Sequence, residues 1–421
     1  MKRKLRLRPF AAASYSIVSL LFLIFFIYMG LNENVSVYRA RGSHAYALVE
    51  DYSMQKIEDE TAPAGIRKIY EWTLQPVDRT ENCLCFYVVH QYVEVYYDGE
   101  LMYSLMADES NRIGKTISSN WVMVPIYPED NGKEVEVILT PLFENMIDFE
   151  PEFEVGSHFS IVFGQLKQDF SQLFLSALCI LLGIFIMAVQ LYFFFRTNSK
   201  PWDMFFLGSF SLMIGIWRIV DIKSSAMIFT GNPMVLGYIT IGALFLCSIP
   251  LPLFVSTLFS EKKAVPLLLA SVIGSAAAFV TLVFQVFGIA EFKEMLPLSH
   301  AMLILTVCLM PVLTLIHMKN EKTTHAQKSR KYFVFLGLGI LLDLIFFYIK
   351  KSSSEVIFTM IAFVVYVLVM FITNLLATTR KAYIDSRTGL SNKDYWEEQM
   401  QAEISPKDQV GIMMLDLNGL K

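Results

Sequence analysis

Eight stretches of this chain are apolar for about the length of one membrane crossing, and that repetition governs what it can fold into. They fall at residues 11–31, 172–195, 201–220, 234–259, 264–290, 295–318, 332–349 and 356–377. A helix needs about 20 mostly apolar residues to cross the hydrocarbon core, and each run meets or approaches that length. Hydrophobic residues make up 54% of the chain and charged residues 18%, a balance that excludes an ordinary soluble protein. The net charge of -4 supplies no basic surface for nucleic acid.

The first run follows a basic patch of Lys2, Arg3, Lys4, Arg6 and Arg8. It is longer than the core of most signal peptides, which favours an uncleaved anchor over a cleaved leader; either one exports the next segment. Basic residues between the later runs set the orientation. Arg196 and Lys200, then Lys262 and Lys263, then Lys319, Lys322, Lys328, Arg330 and Lys331, then Arg380 and Lys381 mark one side. Lys223, Lys293, and the pair Lys350 and Lys351 mark the other, poorer side. The richer side is cytoplasmic, which puts both termini in the cytoplasm and residues 32–169 across the membrane.

Within 32–169 the pattern changes to period two. Val93, Val95 and Tyr97 alternate with Glu94 and Tyr96 and lead into Asp98-Gly99. An Asp-Gly between two such runs predicts a hairpin whose two turn residues both take positive φ. Asn131-Gly132 reads as a second turn of that kind, before the alternating Val135, Val137 and Leu139. Several short strands with turns between them predict an antiparallel β-sandwich. Tyr92, Tyr96 and Trp121 could stack on a sugar, but packing inside the sandwich is the favoured place for them. The run Glu144, Asp148, Glu150, Glu152 and Glu154 lacks calcium-loop spacing and reads as a solvated connector. Of five cysteines, Cys83 and Cys85 share one face of a strand, poorly placed to bond to each other.

Among the apolar runs, Asp343 is the clearest intramembrane charge, with Gln190 and His300 as weaker polar positions. Asp343 reads as a helix–helix hydrogen-bond partner or a protonated core acid rather than an ion site. Arg218 and Asp221 stand three apart near the outer end of their run, spaced to pair. No pair of interrupted helices is expected, which places transport behind reception.

After the last run comes Asp385-Ser386-Arg387-Thr388-Gly389-Leu390-Ser391-Asn392. Ser391 is a natural N-cap for a short helix carrying Tyr395, Trp396 and Met400, and Ser405-Pro406 ends it. Residues 410–415 read as a strand buried on both faces, closed by Asp416 and the turn Asn418-Gly419. A carboxylate at such a strand end can bind a divalent cation that carries a triphosphate.

These two segments together resemble the opening of a GGDEF domain, the bacterial diguanylate cyclase module. Asp385, Thr388, Gly389, Leu390 and Asn392 match its Asp-x-Leu-Thr-Gly-Leu-x-Asn-Arg opening, with Arg387 for Leu and Lys393 for Arg. Asp416, Asn418, Leu420 and Lys421 stand where that family has Asp-x-Asp-x-Phe-Lys, with Asn418 and Leu420 as departures. The layout of the whole chain is similar to bacterial seven-transmembrane receptors with diverse intracellular signalling modules. The resemblance implies that Asp416 binds Mg²⁺ through its side chain, Leu417 through its backbone carbonyl, and that Lys421 lies near phosphates. It also implies that two GTP molecules, one on each subunit of a homodimer, condense to cyclic di-GMP at the bacterial plasma membrane. The Gly-Gly-Asp-Glu-Phe loop is not among the 421 residues, so the expectation for this chain alone is an incomplete module without cyclase activity.

The expected fold is therefore a multi-domain membrane protein. Residues 1–10 are a basic cytoplasmic start and 11–31 a transmembrane anchor. Residues 32–169 form an extracytoplasmic antiparallel β-sandwich, similar to galactose-binding jelly rolls. Residues 172–377 form a seven-helix bundle, and 378–421 a signalling helix and the start of an α/β GGDEF domain. The expected partners are GTP, an external small molecule or carbohydrate, membrane lipid and a second copy of the chain. A degenerate, non-catalytic GGDEF domain and a transporter are the alternatives.

Overall fold

The computed structural model describes residues 7–32, 35–39, 47–49, 51–75, 82–108, 113–114, 116–156, 158–196, 202–228, 232–260, 262–317 and 357–383, with five positions in 335–342 and Leu390. The chain divides into two units, Met1–Val364 and Val365–Lys421.

The first unit opens with helix α1 (Leu7–Asn32). Among the described residues ten strands follow: β1 (Val35–Arg39), β2 (Ala47–Leu48), β3 (Ser53–Glu58), β4 (Ile66–Thr73), β5 (Asn82–Val88), β6 (Gln91–Tyr97), β7 (Glu100–Ala107), β8 (Asn120–Ile126), β9 (Glu134–Pro141) and β10 (Glu154–Gly156). They make two antiparallel sheets, ordered β1-β7-β6-β9-β4-β3 and β2-β10-β5-β8. Alternation along β6 sends Val93, Val95 and Tyr97 inward and leaves Tyr92, Glu94 and Tyr96 on the outer face. The two sheets share an aromatic core. Phe153 lies 5.2 Å from Tyr70 and 4.9 Å from Trp72 of one sheet, and 5.0 Å from Phe86 of the other.

The Asp98-Gly99 hairpin forms as its sequence predicts, with φ of 47° and 82°. Asn131-Gly132 is different. Asn131 sits at φ -58°, ψ 124° and only Gly132 is positive, at 86°. That is type II geometry, selected because the turn leaves a short 3₁₀ segment rather than a strand. The acidic connector is not wholly solvated either: Glu154 is buried, and the buried Lys68 donates from Nζ to the Phe149 carbonyl at 2.7 Å. Burial, and then the charge of Lys56, hold the Lys68 amine below its ordinary pKa.

Helices α2 (His158–Arg196), α3 (Trp202–Asp221), α4 (Ser225–Ile228), α5 (Pro233–Cys247), α6 (Pro250–Thr257), α7 (Val265–Val286) and α8 (Leu296–His317) follow. Among the described residues five apolar segments are long enough to cross a membrane: Leu7–Leu31, His158–Tyr192, Met204–Asp221, Pro233–Thr257 and Val265–Val286. This is compatible with a multi-pass membrane protein. Two corrections concern the helices. First, α2 begins at His158, well before the apolar run at 172, because the chain passes from β10 almost directly into helix. Second, the run at 234–259 is not one helix. Pro250 and Pro252 cannot donate backbone bonds, and the helix breaks at Ser248 and Ile249. Ser271 of α7 donates its hydroxyl to the Ile249 carbonyl at 3.2 Å, supplying a partner at the break.

Close approach of helices rests on small residues. A Cβ at Gly183 of α2 would come within 2.6 Å of the Leu212 nitrogen on α3, and one at Gly208 within 3.0 Å of the Gly183 oxygen. Glycine at both positions lets the two backbones touch. Helix α1 packs within this helical layer. Its buried stripe of Ala11, Tyr15, Val18, Phe22, Phe25 and Met29 recurs every three or four residues, while Ile17, Leu20, Ile24 and Ile27 are exposed. Ser14 donates to Ser275 of α7 at 3.2 Å, and Tyr15 bonds Ser209 of α3.

Helix α9 (Ile357–Tyr383) runs without a break from the end of the first unit into the second. Its C-terminal residues are the described part of the second unit, apart from Leu390, which is exposed.

Candidate functional site at the junction of sheets and helices

Where the sheets meet the helix ends, two sets of contacts converge. The first surrounds the turn between α3 and α4. β5 has almost no exposed residue, because both its faces are covered. Leu84, Phe86 and Val88 face the other sheet, whereas Cys83 and Cys85 pack with Trp121 and Ile161, beside Tyr87, Ala226 and Met227. Burial pushes the Cys83 thiol up to about 12, as expected of a packing residue rather than a nucleophile. The Trp121 indole N–H donates to the Lys223 carbonyl at 2.9 Å. The Lys223 ammonium lies 5.2 Å from the centre of the Tyr87 ring. From α2, the Asp169 carboxylate accepts the Ser224 backbone N–H at 3.0 Å.

Just below this turn Arg218 is buried on α3. It donates to Asp221 Oδ2 at 2.7 Å and to Gln172 Oε1 of α2 at 2.5 Å, and its guanidinium lies 5.4 Å from the Trp217 ring centre. A cation this enclosed needs such partners, since desolvation alone would make it costly. Lys293, on the loop between α7 and α8, is part of the same charge cluster. Burial lowers its pKa, and the negative charge of Asp221 opposes that shift.

The second set of contacts joins the β7–β8 loop to α5 and α7. Gln285 is buried near the end of α7 and makes three hydrogen bonds through one amide. Its Nε2 donates its two protons to the Ile113 carbonyl at 2.9 Å and to Glu291 Oε2 at 3.1 Å, with the Tyr238 hydroxyl 3.5 Å away. Its Oε1 accepts the Phe292 N–H at 2.7 Å. Tyr238 of α5 donates to the same Glu291 oxygen at 3.0 Å. Gly114 lies so close that any Cβ there would overlap the Tyr238 hydroxyl, and a Cβ on Gly237 would come within 2.9 Å of the Ser118 side chain. Beneath them Phe25 of α1 lies 5.9 Å from Tyr238 and 5.4 Å from Phe292. The loop is fastened to the sheets from the other side. His90, at φ 50°, bonds the Ile117 carbonyl through Nδ1 at 2.9 Å. Burial, then the positive charge of Lys293, lowers the His90 pKa from 6.5 to about 4, so the ring is neutral.

Of the residues singled out in the sequence, Arg218 and Asp221 are brought together, and with Gln172 they stand at this junction. Trp121 is buried, but between the sheet and the helices rather than inside the sandwich; β8 turns that side chain toward α4. Tyr92 and Tyr96 remain on the outer face, where Tyr96 donates to Glu94 at 3.0 Å. His300 is exposed and Gln190 is half-buried. Asp343, Asp385, Thr388, Gly389, Asn392, Asp416, Leu417, Asn418 and Lys421 lie outside the described residues. Among the described residues no three His, Cys, Asp or Glu side chains are grouped to hold a metal ion.

Sequence reasoning missed Gln285, Gly114, Tyr238 and Glu291, and read Lys223 only as a charge marking one side of the membrane. Gln285 carried the one available signal, a lone amide inside an apolar run. The others are ordinary until the loop is seen to dock. No family model matches this chain, and no curated protein matches its sequence.

Proposed function

We propose that this chain is the sensing and membrane part of a receptor that controls a cytoplasmic GGDEF module making cyclic di-GMP from two GTP. The β-sandwich, of galactose-binding jelly-roll type, lies outside the cytoplasm and takes a small molecule or carbohydrate. Seven later spans and α1 carry the signal inward in the plasma membrane of a bacterial cell, with both termini cytoplasmic. Two copies act together, each presenting one GTP.

The observation that carries this reading is the docked β7–β8 loop. Gln285 of α7 bonds the loop at Ile113 and the α7–α8 connection at Glu291 and Phe292 at once, so a shift of the loop acts directly on the end of α7 and on that connection. The sandwich is also tethered at both ends by short links, from α1 into β1 and from β10 into α2. α1 precedes a strand of one sheet and α2 follows a strand of the other. A ligand that moved one sheet against the other would therefore displace one helix against another. On the cytoplasmic side, α9 extends to Tyr383, close to the motif beginning at Asp385. In the complete module Asp416 and Leu417 would hold Mg²⁺, and Lys421 would approach phosphate.

Asn418 favours a second reading, a GGDEF domain that binds nucleotide without turning it over. A chain carrying the complete module, in lipid vesicles with GTP and Mg²⁺, separates the two. Cyclic di-GMP that disappears in Asp416→Ala supports catalysis. GTP binding without product supports the second reading.

A further inference from the structure

Between the two contact sets lies a small cavity lined by Ser118, Ser119, Asn120, Ser225, Val220 and Leu236, with Ala226 and Pro233 completing it. Half of this lining is polar, and it comes from both layers. Ser118–Asn120 lead into β8, Ser225 begins α4, and Val220 and Leu236 belong to α3 and α5. Ser225 is fully buried, and its hydroxyl has no protein partner. A buried hydroxyl left unpaired is costly, so an orphan beside a polar cavity points to a ligand that pairs with it.

We propose that this cavity is a hydration site, holding an ordered water bonded to Ser225 Oγ and to polar groups of Ser118–Asn120. The cavity offers about 20 Å³ to the centres of water-sized molecules, against the roughly 10–15 Å³ that one water needs. That size admits water. The chemistry agrees, since a water needs two to four polar partners and the lining includes Ser225 from the helices and Ser118, Ser119 and Asn120 from the strand side. The water continues the junction where direct bonding stops. Trp121 bonds Lys223 directly, while Asn120, one residue before the indole, and Ser225, two residues after Lys223, border the cavity. The proposal does not depend on the signalling role of the chain.

The test is a structure of the full chain in a lipid nanodisc, at a resolution that shows ordered solvent. The expected result is a peak about 2.6–3.2 Å from Ser225 Oγ and from a polar atom of Ser118, Ser119 or Asn120. No peak, or density for an acyl chain, overturns the proposal. The sign of a stability change gives a second test that survives poor resolution. If water fills the site, Ser225→Val expels it and removes its bonds to the strand side, and the melting temperature falls by roughly 2–4 °C. If the site is dry, the same substitution removes an orphan hydroxyl and fills space, and the melting temperature holds or rises, which also overturns the proposal.

Discussion

The indole N–H of Trp121 donates to the carbonyl oxygen of Lys223, 2.9 Å away, and ties a strand of the four-stranded sheet to the turn that ends α3. Ring packing against Cys83, Cys85 and Ile161 surrounds that bond. Trp121→Phe keeps much of the packing and removes the donor. The expected loss is about 1–2 kcal/mol, read as a fall in melting temperature of the purified chain.

His90 gives the junction a pH dependence of known sign. Its folded-state pKa of about 4 lies below the ordinary 6.5, so as pH falls the unfolded chain gains a proton first. The stabilisation is complete above pH 6.5 and declines toward pH 4, by at most about 1.4 kcal/mol per pH unit. Asparagine tolerates the positive φ at this position and can still donate to Ile117. His90→Asn should flatten the stability profile between those pH values, as followed by thermal melting across pH.

Gly114 and Tyr238 occupy space that only a glycine leaves free. Gly114→Ala should therefore lift the β7–β8 loop from α5 and lower the melting temperature by several degrees. Adding Tyr238→Phe removes the atom nearest to the new methyl group. The double variant should lose less than the sum of the two single losses, because the residues are in direct contact.

Arg218 is buried on α3 and depends on Asp221 and Gln172 for its partners. Asp221→Ala strands the guanidinium. Asp221 is partly open to solvent, which keeps the expected cost near 2–3 kcal/mol, below that of a fully buried pair. Arg218→Met combined with Asp221→Ala should cost less than Asp221→Ala alone, as compared by denaturant or thermal unfolding.

Much of the fold is written in local pattern. Alternation at Val93–Val95–Tyr97 gives the buried face of β6, and Asp98-Gly99 gives the turn that follows. The i,i+3 spacing of Arg218 and Asp221 gives their ion pair. Pro250 and Pro252 mark the break between α5 and α6, although an apolar run alone reads straight through them. The junction itself is less legible, because its bonds join residues far apart in sequence. Gln285 meets Ile113 across 172 positions and Trp121 meets Lys223 across 102. Neither pairing leaves a periodic trace. Trp121 illustrates the limit: its burial follows from its size, but which layer buries it depends on helices elsewhere in the chain.

The central claim is that the junction controls a cytoplasmic output. It is tested most directly by the rate of cyclic di-GMP formation from GTP and Mg²⁺ in vesicles. The chain should carry a complete GGDEF module and be compared with Gln285→Leu, which severs the bonds to Ile113, Glu291 and Phe292 together. A Gly-Gly insertion after Thr379 serves as the uncoupled reference. The account predicts that the parent chain makes cyclic di-GMP, that Gln285→Leu changes its rate several-fold, and that the insertion abolishes this dependence on residue 285. Absence of product from the parent chain, or one rate shared by it and Gln285→Leu, would contradict it.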